Sequence, residues 1–206
     1  MWFSTNSSRE KNLMEIAAGQ AGYFTAKQAL KAGYSHRLQH YHRAKGHWQE
    51  INRGIFRFAQ YPHSPTEDLV RWSLWSRDRN DTPQGVFSHE TALSVHELSD
   101  IMPAKIHLTV SPKFRKKIPD GCILHKALLK NNEIEKREGY SVTTPLKTII
   151  DVAEGTLSLD YLEKAVRDAI ELGFLRPKHI QNAIMTKKTK KKMRLILKEI
   201  MENPLL

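Results

Sequence analysis

Two short helical segments joined by a tight, glycine-containing turn constrain this fold more than any other feature of the sequence. Thr25 is a favourable N-cap for a helix over residues 26–32, and Gly33 follows where helices often end in a left-handed residue. Ser35 can cap the next helix, which extends to about residue 45. Because the connection is so short, the two helices must cross at an angle and pack as one pair.

The segments on both sides of this helix pair extend the pattern. Upstream, residues 9–18 carry apolar side chains at helical spacing. Downstream, residues 48–58 place apolar side chains on both sides of the turn Asn52-Arg53-Gly54, which predicts a β-hairpin. The order of helix, helix, short turn, helix and hairpin is typical of a winged helix-turn-helix, which we predict for residues 1–61.

Residues 65–206 are expected to form a second domain. Two prolines between residues 61 and 65 interrupt regular structure and mark the boundary. Downstream patterns predict helices over 66–79, 88–98, 146–153, 159–172, 177–185 and 189–201, and extended segments over 105–110, 121–126 and 140–143. The expected fold class is α+β, in which the winged helix-turn-helix precedes a mixed α/β C-terminal domain that ends in helices.

Positive charge is concentrated at the two ends of the chain. The net charge is +11, with 33 Lys and Arg against 22 Asp and Glu. Residues 1–61 carry a net +6, residues 62–154 are neutral, and residues 155–206 carry a net +5. Localised basic excesses of this kind favour a polyanionic partner, and nucleic acid is the first candidate.

The helix after Ser35 is the best candidate to contact DNA. Helical periodicity places Leu38, Tyr41, His42 and Lys45 on an inward side and His36, Gln39, His40 and Arg43 on the opposite, outward side. No acidic residue occurs between residues 26 and 49, whereas a merely solvated face usually mixes charges. The predicted DNA-binding residues are Thr25, Lys27, Ser35, His36, Arg37, Gln39, His40, Arg43, Arg53 and Arg57.

Each residue type in this set has a defined role in DNA recognition. Arg43 can bond guanine and Gln39 can bond adenine in the major groove. Thr25 and Lys27, at the start of a helix, can reach phosphate. Arg groups in or beside the hairpin can enter the minor groove. We therefore expect double-stranded DNA as the main partner.

Two further basic patches are secondary candidates for phosphate contacts or for an acidic partner. One comprises Lys113, Arg115, Lys116 and Lys117 in a predicted loop. The other comprises Lys187, Lys188, Lys190, Lys191 and Lys192 at the start of the last predicted helix. Lysine-rich helix ends are also common as simply solvated surface.

Ordered motifs in both predicted domains resemble one family. The first domain contains Gly22-Tyr-Phe-Thr25, Gln28-Ala29, Ala32-Gly33-Tyr34-Ser35 and Arg53-Gly54-Ile55-Phe56-Arg57. The second contains Phe87-Ser-His-Glu-Thr-Ala-Leu93, Ile106-His-Leu-Thr-Val110 and Val142-Thr-Thr-Pro-Leu-Lys-Thr-Ile-Ile-Asp151. Over roughly residues 10–155 this set resembles the AbiEi-like antitoxins of type IV toxin–antitoxin systems, which act in phage defence.

The resemblance implies a bacterial cytoplasmic protein with two tasks. The winged helix would bind repeated half-sites in the promoter of its own operon and repress transcription. The second domain would oppose a toxin that resembles nucleotidyltransferases, usually without a stable complex. The nuclease-like C-terminal domain of some relatives is not expected, because residues 155–206 offer only helices and a basic patch.

Several residues invite a metal or catalytic interpretation that the sequence does not favour. His36, His40, His42 and His47 are close in sequence, but no cysteine lies near them. Ser88-His89-Glu90 lacks the small flanking residues of a nucleophile elbow, so Ser88 is better explained as a helix cap. Cys122 and His125 are too few for a metal site, and a buried thiol is expected.

Acidic residues grouped for a nuclease metal are also not evident. Glu133, Glu135 and Glu138 lie in a predicted loop, and Asp151 is expected to pair locally with Lys147. We therefore expect no metal, no cofactor and no enzymatic activity, and no membrane association. Two alternatives stay open: a winged-helix regulator whose second domain binds a ligand or partner, and a nuclease acting on nucleic acid.

Overall fold

The computed structural model describes residues 2–183 and 185–202, with side chains from residue 8 onward. Helices and strands are both abundant, so the fold is α+β, as expected. By its internal contacts the chain divides into an N-terminal unit, which comprises the described residues up to Gly85 with Arg137–Tyr140, and a C-terminal unit, Val86–Lys136 with the described residues from Ser141.

The N-terminal unit contains four helices and three strands among its described residues. In chain order they are α1 (Trp2–Ala18), β1 (Tyr23–Thr25), α2 (Ala26–Lys31), α3 (His36–Ala44), β2 (Trp48–Asn52), β3 (Ile55–Phe58) and α4 (Glu67–Ser76). The predicted hairpin is confirmed, and β3 also pairs with β1, so the antiparallel sheet has the order β1-β3-β2.

Aromatic packing forms the core of the N-terminal unit. Phe24 of β1 contacts Trp48 of β2 edge to face, with ring centroids 4.8 Å apart. Tyr34, in the turn between α2 and α3, packs on the same Trp48 ring at 5.0 Å. Leu13 of α1 is fully buried in this cluster. The turn residue, helix α1 and strands β1 and β2 therefore share one core, which fixes the α2–α3 turn against the sheet.

The N-terminal unit extends beyond the boundary predicted at residues 61–65. Helix α4 packs on β1 and β3, and Val70 and Leu74 bury their side chains with Tyr23 and Ile55. The two prolines interrupt regular structure without separating the units, because the apolar face of α4 is complementary to the outer side of this small sheet. The contact boundary lies at residues 85 and 86 instead.

The C-terminal unit combines a five-stranded sheet with helices. Its strands are β4 (Val86–Phe87), β5 (Ile106–Val110), β6 (Cys122–Lys126), β7 (Ile134–Arg137) and β8 (Tyr140–Thr143), in the spatial order β6-β5-β4-β8-β7. Its helices are α5 (His89–Val95), α6 (Pro145–Glu154), α7 (Leu159–Glu171), α8 (Pro177–Asn182) and α9 (Lys187–Glu202), with one 3-10 turn at Asn131–Glu133.

Most elements predicted for this region are present, usually with shorter ends. The apolar faces of α6, α7 and α9 meet in one core that includes Ile149, Leu162 and Met193. Two strands were not predicted. β4 has only two residues, and β7 lies in a charged stretch that was expected to be a loop. β4 is defined by pairing with β5 and β8, which lie far along the chain, so the local pattern cannot indicate it. β7 pairs with the next strand, β8, across a short turn that contains Gly139 at φ +80°.

Candidate nucleic-acid interface

Capping side chains define the helix pair α2–α3. The Thr25 hydroxyl accepts a hydrogen bond from the Gln28 amide at 3.1 Å, and the Gln28 side chain accepts one from the Thr25 amide at 2.8 Å. Gly33 has φ +96°, the left-handed conformation expected at this turn. Ser35 Oγ accepts a hydrogen bond from the Leu38 amide at 3.4 Å. The predicted short glycine turn between the two capped helices is therefore present.

Helix α3 buries Gln39 and exposes Tyr41, the reverse of what its periodicity predicted for these two residues. Gln39, expected on the outward side, is only 4% exposed, and its amide donates hydrogen bonds to the carbonyl oxygens of Ala26 at 3.1 Å and Tyr34 at 3.0 Å. Tyr41, expected inward, is 49% exposed. Gln39 thus satisfies backbone groups at the turn, and its predicted contact with adenine is corrected.

His42 lies on the inward side of α3, as predicted. Its ring stacks on Trp48 with centroids 4.8 Å apart and planes 14° apart, and its Nδ1 lies 3.1 Å from Nδ1 of His47. Burial, with a smaller contribution from His47, lowers the pKa of His42. The neutral ring is a packing residue.

The exposed face of α3 consists of His36, Arg37, His40 and Arg43, with Tyr41 beside them. Within the described residues, His36, Arg37 and His40 make no side-chain hydrogen bond or ion pair. Arg43 differs, because it pairs with Glu50 at 2.5 Å and lies 5.7 Å from the centroid of the Phe56 ring. The three unpaired side chains are therefore the ones most available to a ligand.

Two arginines of the β2–β3 hairpin were both predicted to contact DNA, but they differ in exposure. Arg53 is exposed in the β2–β3 turn, beside Gly54 at φ +72°. Arg57 is 3% exposed and donates hydrogen bonds to the carbonyl oxygens of Tyr61 at 2.8 Å and Pro62 at 3.0 Å. Arg57 is a structural residue of the core edge, which corrects its predicted role in the minor groove.

Two other residues that were predicted to contact phosphate form hydrogen bonds within the N-terminal unit. Thr25 is buried, and its hydroxyl donates a hydrogen bond to Asp81 at 3.0 Å. The Lys27 ammonium is exposed and donates a hydrogen bond to the carbonyl oxygen of Arg79. The prediction that Thr25 reaches phosphate is thus corrected, whereas Lys27 and Ser35 stay at the surface.

The two secondary basic patches are at the surface of the C-terminal unit. Lys113, Arg115, Lys116 and Lys117 are exposed in the loop between β5 and β6. Lys187, Lys188, Lys190 and Lys191 are exposed at the start of α9, and Lys192 is half-buried.

The residues considered for catalysis have local partners. Ser88 precedes α5, but its hydroxyl does not cap the helix; it accepts a hydrogen bond from Thr109 Oγ1 at 2.8 Å. Asp151 pairs with Lys147, as predicted. Cys122 is the expected buried thiol, and burial raises its pKa to about 11.

A cluster of three histidines in the C-terminal unit was not predicted. His89 begins α5, His107 lies on β5 and His125 lies on β6, and one ring nitrogen from each lies within 4.8 Å of the others. Among the described residues it is the one group of at least three His, Cys, Asp or Glu that is close enough to share an ion. The parallel register of β5 and β6, which pairs Thr109 with His125, brings the strand histidines to one face.

Comparisons with known proteins identify a fold and no family. No protein-family model matches the sequence, and no curated protein matches it. A solved structure, the crystal structure of the RV2827C protein from Mycobacterium tuberculosis, is similar with a TM-score of 0.57 and 12% sequence identity. The match covers 90% of this chain and 74% of the mycobacterial one. At this identity the similarity concerns the fold alone.

Over residues 2–183 and 185–202, no helix combines the length and the apolar character that crossing a bilayer requires.

Proposed function

We propose that the N-terminal unit is a winged helix-turn-helix that binds double-stranded DNA, with α3 in the major groove. The succession α1-β1-α2-α3-β2-β3 and the sheet order β1-β3-β2 support this proposal. Helix α2 contacts α3 and is joined to it by a short glycine turn, as in helix-turn-helix proteins, and the β2–β3 hairpin would be the wing.

The outward face of α3 is the observation that carries the proposal. His36, Arg37 and His40 project from it without internal partners among the described residues. Arg37 can donate two hydrogen bonds to guanine, and an imidazole can donate to or accept from a base edge. No acidic residue between positions 26 and 49 would repel the phosphates on either side of the groove.

The hairpin supplies a second contact. Arg53 lies at its exposed turn, so a guanidinium can reach the backbone or the narrow groove beside the site of α3. Arg43 is held by Glu50 and is better placed to contact phosphate after exchange of that ion pair than to read a base.

A competition binding experiment tests this proposal. Fluorescence anisotropy of DNA from upstream of the gene, with excess random DNA, should show binding that the competitor does not abolish. Arg37→Ala should weaken specific binding by about 1–3 kcal/mol and non-specific binding much less. Lys178→Ala, which removes an exposed positive charge from α8, is the matched control and should bind like the wild type.

Two results would contradict the proposal. One is equal affinity of the wild-type protein for upstream and random DNA. The other is an equal loss in Arg37→Ala and Lys178→Ala, because DNA would then be held by diffuse charge and not by the α3 face.

We also propose that the protein represses its own operon and is the antitoxin that opposes a nucleotidyltransferase-like toxin. The sequence resemblance supports this second proposal. Its landmark segments are adjacent in the C-terminal unit: Phe87 of β4 pairs with Val142 of β8 and with Leu108 of β5, and α5 packs on α6. The motifs thus form one packed group at the centre of that sheet.

Co-expression with a nucleotidyltransferase-like toxin encoded beside the gene tests the antitoxin role. Cells that express the toxin alone should stop growing, and the full chain should restore growth. Arg37→Ala should restore growth equally well when expressed from a foreign promoter, because toxin antagonism is proposed for the other unit. Failure of the wild-type chain to restore growth would refute the antitoxin role and leave DNA binding to its own test.

A further inference from the structure

We propose that His89, His107 and His125 form a binding site for a divalent first-row transition metal ion, best suited to Zn²⁺, with Glu90 as the fourth ligand. These residues come from α5, β5 and β6, so one ion would join three elements of the C-terminal unit. The proposal does not depend on whether the N-terminal unit binds DNA.

Interatomic distances support a shared ion. His107 Nδ1 lies 3.1 Å from His125 Nε2 and 2.8 Å from Glu90 Oε2. Two nitrogen ligands of a tetrahedral zinc ion, each about 2.0–2.1 Å from the metal, are about 3.3 Å apart. These ligand atoms are slightly closer together than a common ion requires, so small outward movements of the side chains would accommodate it.

Hydrogen bonds among the histidine and glutamate side chains cannot satisfy all of the polar atoms in this cluster. One imidazole nitrogen offers either a proton or a lone pair, so His107 Nδ1 cannot serve both the carboxylate and the second ring fully. Glu90 Oε2 is buried, and the donor beside it is His107 Nδ1, the same atom that lies against His125 Nε2. A cation among these atoms would accept lone pairs from all of them.

His89 and His125 are half-buried, and burial favours the neutral form of their rings. Burial, followed by repulsion from His125, lowers the pKa of His89 to about 3, and burial also lowers the pKa of His125. Neutral imidazole with a free lone pair is the ligand form. The nearby positive charge of Lys147 is compensated by its ion pair with Asp151.

The backbone of His89 is strained, and a neighbouring hydroxyl orients its ring. Metal binding would offset the free-energy cost of that strain. His89 has φ +52°, a backbone conformation that non-glycine residues rarely adopt. Its Nδ1 lies 3.0 Å from Ser88 Oγ, which leaves the other nitrogen for a ligand. The His89 and His125 rings are stacked 3.5 Å apart, so His89 must rotate about its broad χ2 torsion to direct that nitrogen at the ion.

The site also allows an ion to enter. The His107 side chain is 12% exposed and that of Glu90 is 21% exposed, while His89 and His125 are half-buried. The donor set of three imidazoles and one carboxylate favours Zn²⁺, and it also suits Co²⁺ as a spectroscopic probe.

Titration of the untagged full-length chain with Co²⁺ after chelator treatment tests the proposal. We expect one Co²⁺ per chain, with the intense visible absorption of tetrahedral coordination, and displacement by Zn²⁺. His107→Gln and His125→Gln should lose this spectrum and the stoichiometric site. His36→Gln/His40→Gln, which removes two exposed histidines from α3, is the matched control and should keep both.

Glu90→Gln tests the carboxylate separately. If Glu90 is a ligand, the variant should bind Zn²⁺ at least about tenfold more weakly. Circular dichroism of the metal-free variants establishes that each is folded. The proposal is overturned if the wild type gives no tetrahedral spectrum, if folded His107→Gln and His125→Gln bind like the wild type, or if the α3 control alone loses binding.

Discussion

Two sets of polar residues in the N-terminal unit look alike in the sequence and differ in what the fold does with them. Thr25, Gln39 and Arg57 are buried, and their side chains bond groups within the unit. His36, Arg37, His40 and Arg53 are exposed at the helix pair and the hairpin turn. Both sets contain hydrogen-bonding types that suit DNA, so burial alone separates structural residues from candidate DNA contacts.

This comparison has a thermodynamic consequence. Removing a buried side chain leaves its partners unpaired and lowers the free energy of unfolding. Removing an exposed one leaves stability almost unchanged and affects only a bound ligand. Substitutions in the two sets should therefore affect different measurements.

The largest expected effect is that of Arg57→Ala. It should lower the free energy of unfolding by about 3 kcal/mol, because two carbonyl oxygens and Glu67, 3.5 Å away, lose their cationic partner. Urea unfolding measures the change, and Arg53→Ala, expected to cost less than about 0.5 kcal/mol, is the control. If Arg57→Ala left the free energy of unfolding unchanged and abolished DNA binding, Arg57 would be a DNA contact and not a structural residue.

Gln39→Ala should have the next largest effect. The carbonyl oxygens of Ala26 and Tyr34 would lose their donor, so unfolding should become easier by about 2 kcal/mol. His40→Ala, on the next residue of the same helix, should leave the urea midpoint unchanged and weaken DNA binding. The opposite pattern would mean that α3 presents the face predicted from its periodicity.

A smaller effect concerns pH. Burial lowers the pKa of His42, so between that value and about 6.5 the unfolded chain binds more protons than the folded one. The neutral His42 ring makes its full contribution to the free energy of unfolding above about pH 6.5, and this contribution is lost as the pH falls. Between about pH 7.5 and pH 5.5, the urea midpoint should fall more in the wild type than in His42→Gln. Parallel curves would contradict the packed position of His42 against Trp48 and His47.

The smallest effect is expected for Arg53 in DNA binding. If Arg53 neutralises one phosphate, Arg53→Ala should reduce the slope of log K against log salt by about 0.9 in magnitude. Binding measured over a salt series gives this slope, and Lys178→Ala should leave it unchanged. If Arg53→Ala had the same slope of log K against log salt as the wild type, the hairpin turn would not contact a DNA phosphate through Arg53.

The fold was predicted best where local signals are strong. Thr25, Gly33 and Ser35 define the helix pair through caps and a left-handed turn, each readable within a few residues. The hairpin around Gly54 was readable for the same reason. The packing position of α4 and the existence of strand β4 were not readable, because each depends on a partner far along the chain.

The candidate sites illustrate the same limit. Four histidines near α3 suggested a cluster, yet His36 and His40 stay apart from His42 and His47, which contact each other. The three that converge are separated by 18 residues at each step and meet through the pairing of β5 with β6 and the start of α5. Proximity in sequence therefore did not predict proximity in space.

The sequence by itself determined the order of the helices and of the β2–β3 hairpin, the turn chemistry at Gly33 and Gly54, and the basic character of the α2–α3 region. These properties follow from backbone preferences and charge, which act over a few residues. Only the tertiary structure decided that Gln39 and Arg57 point inward, that α4 joins the N-terminal unit, and that three histidines meet. Those outcomes depend on which surfaces pack together, because burial and strand pairing are long-range properties of the whole chain.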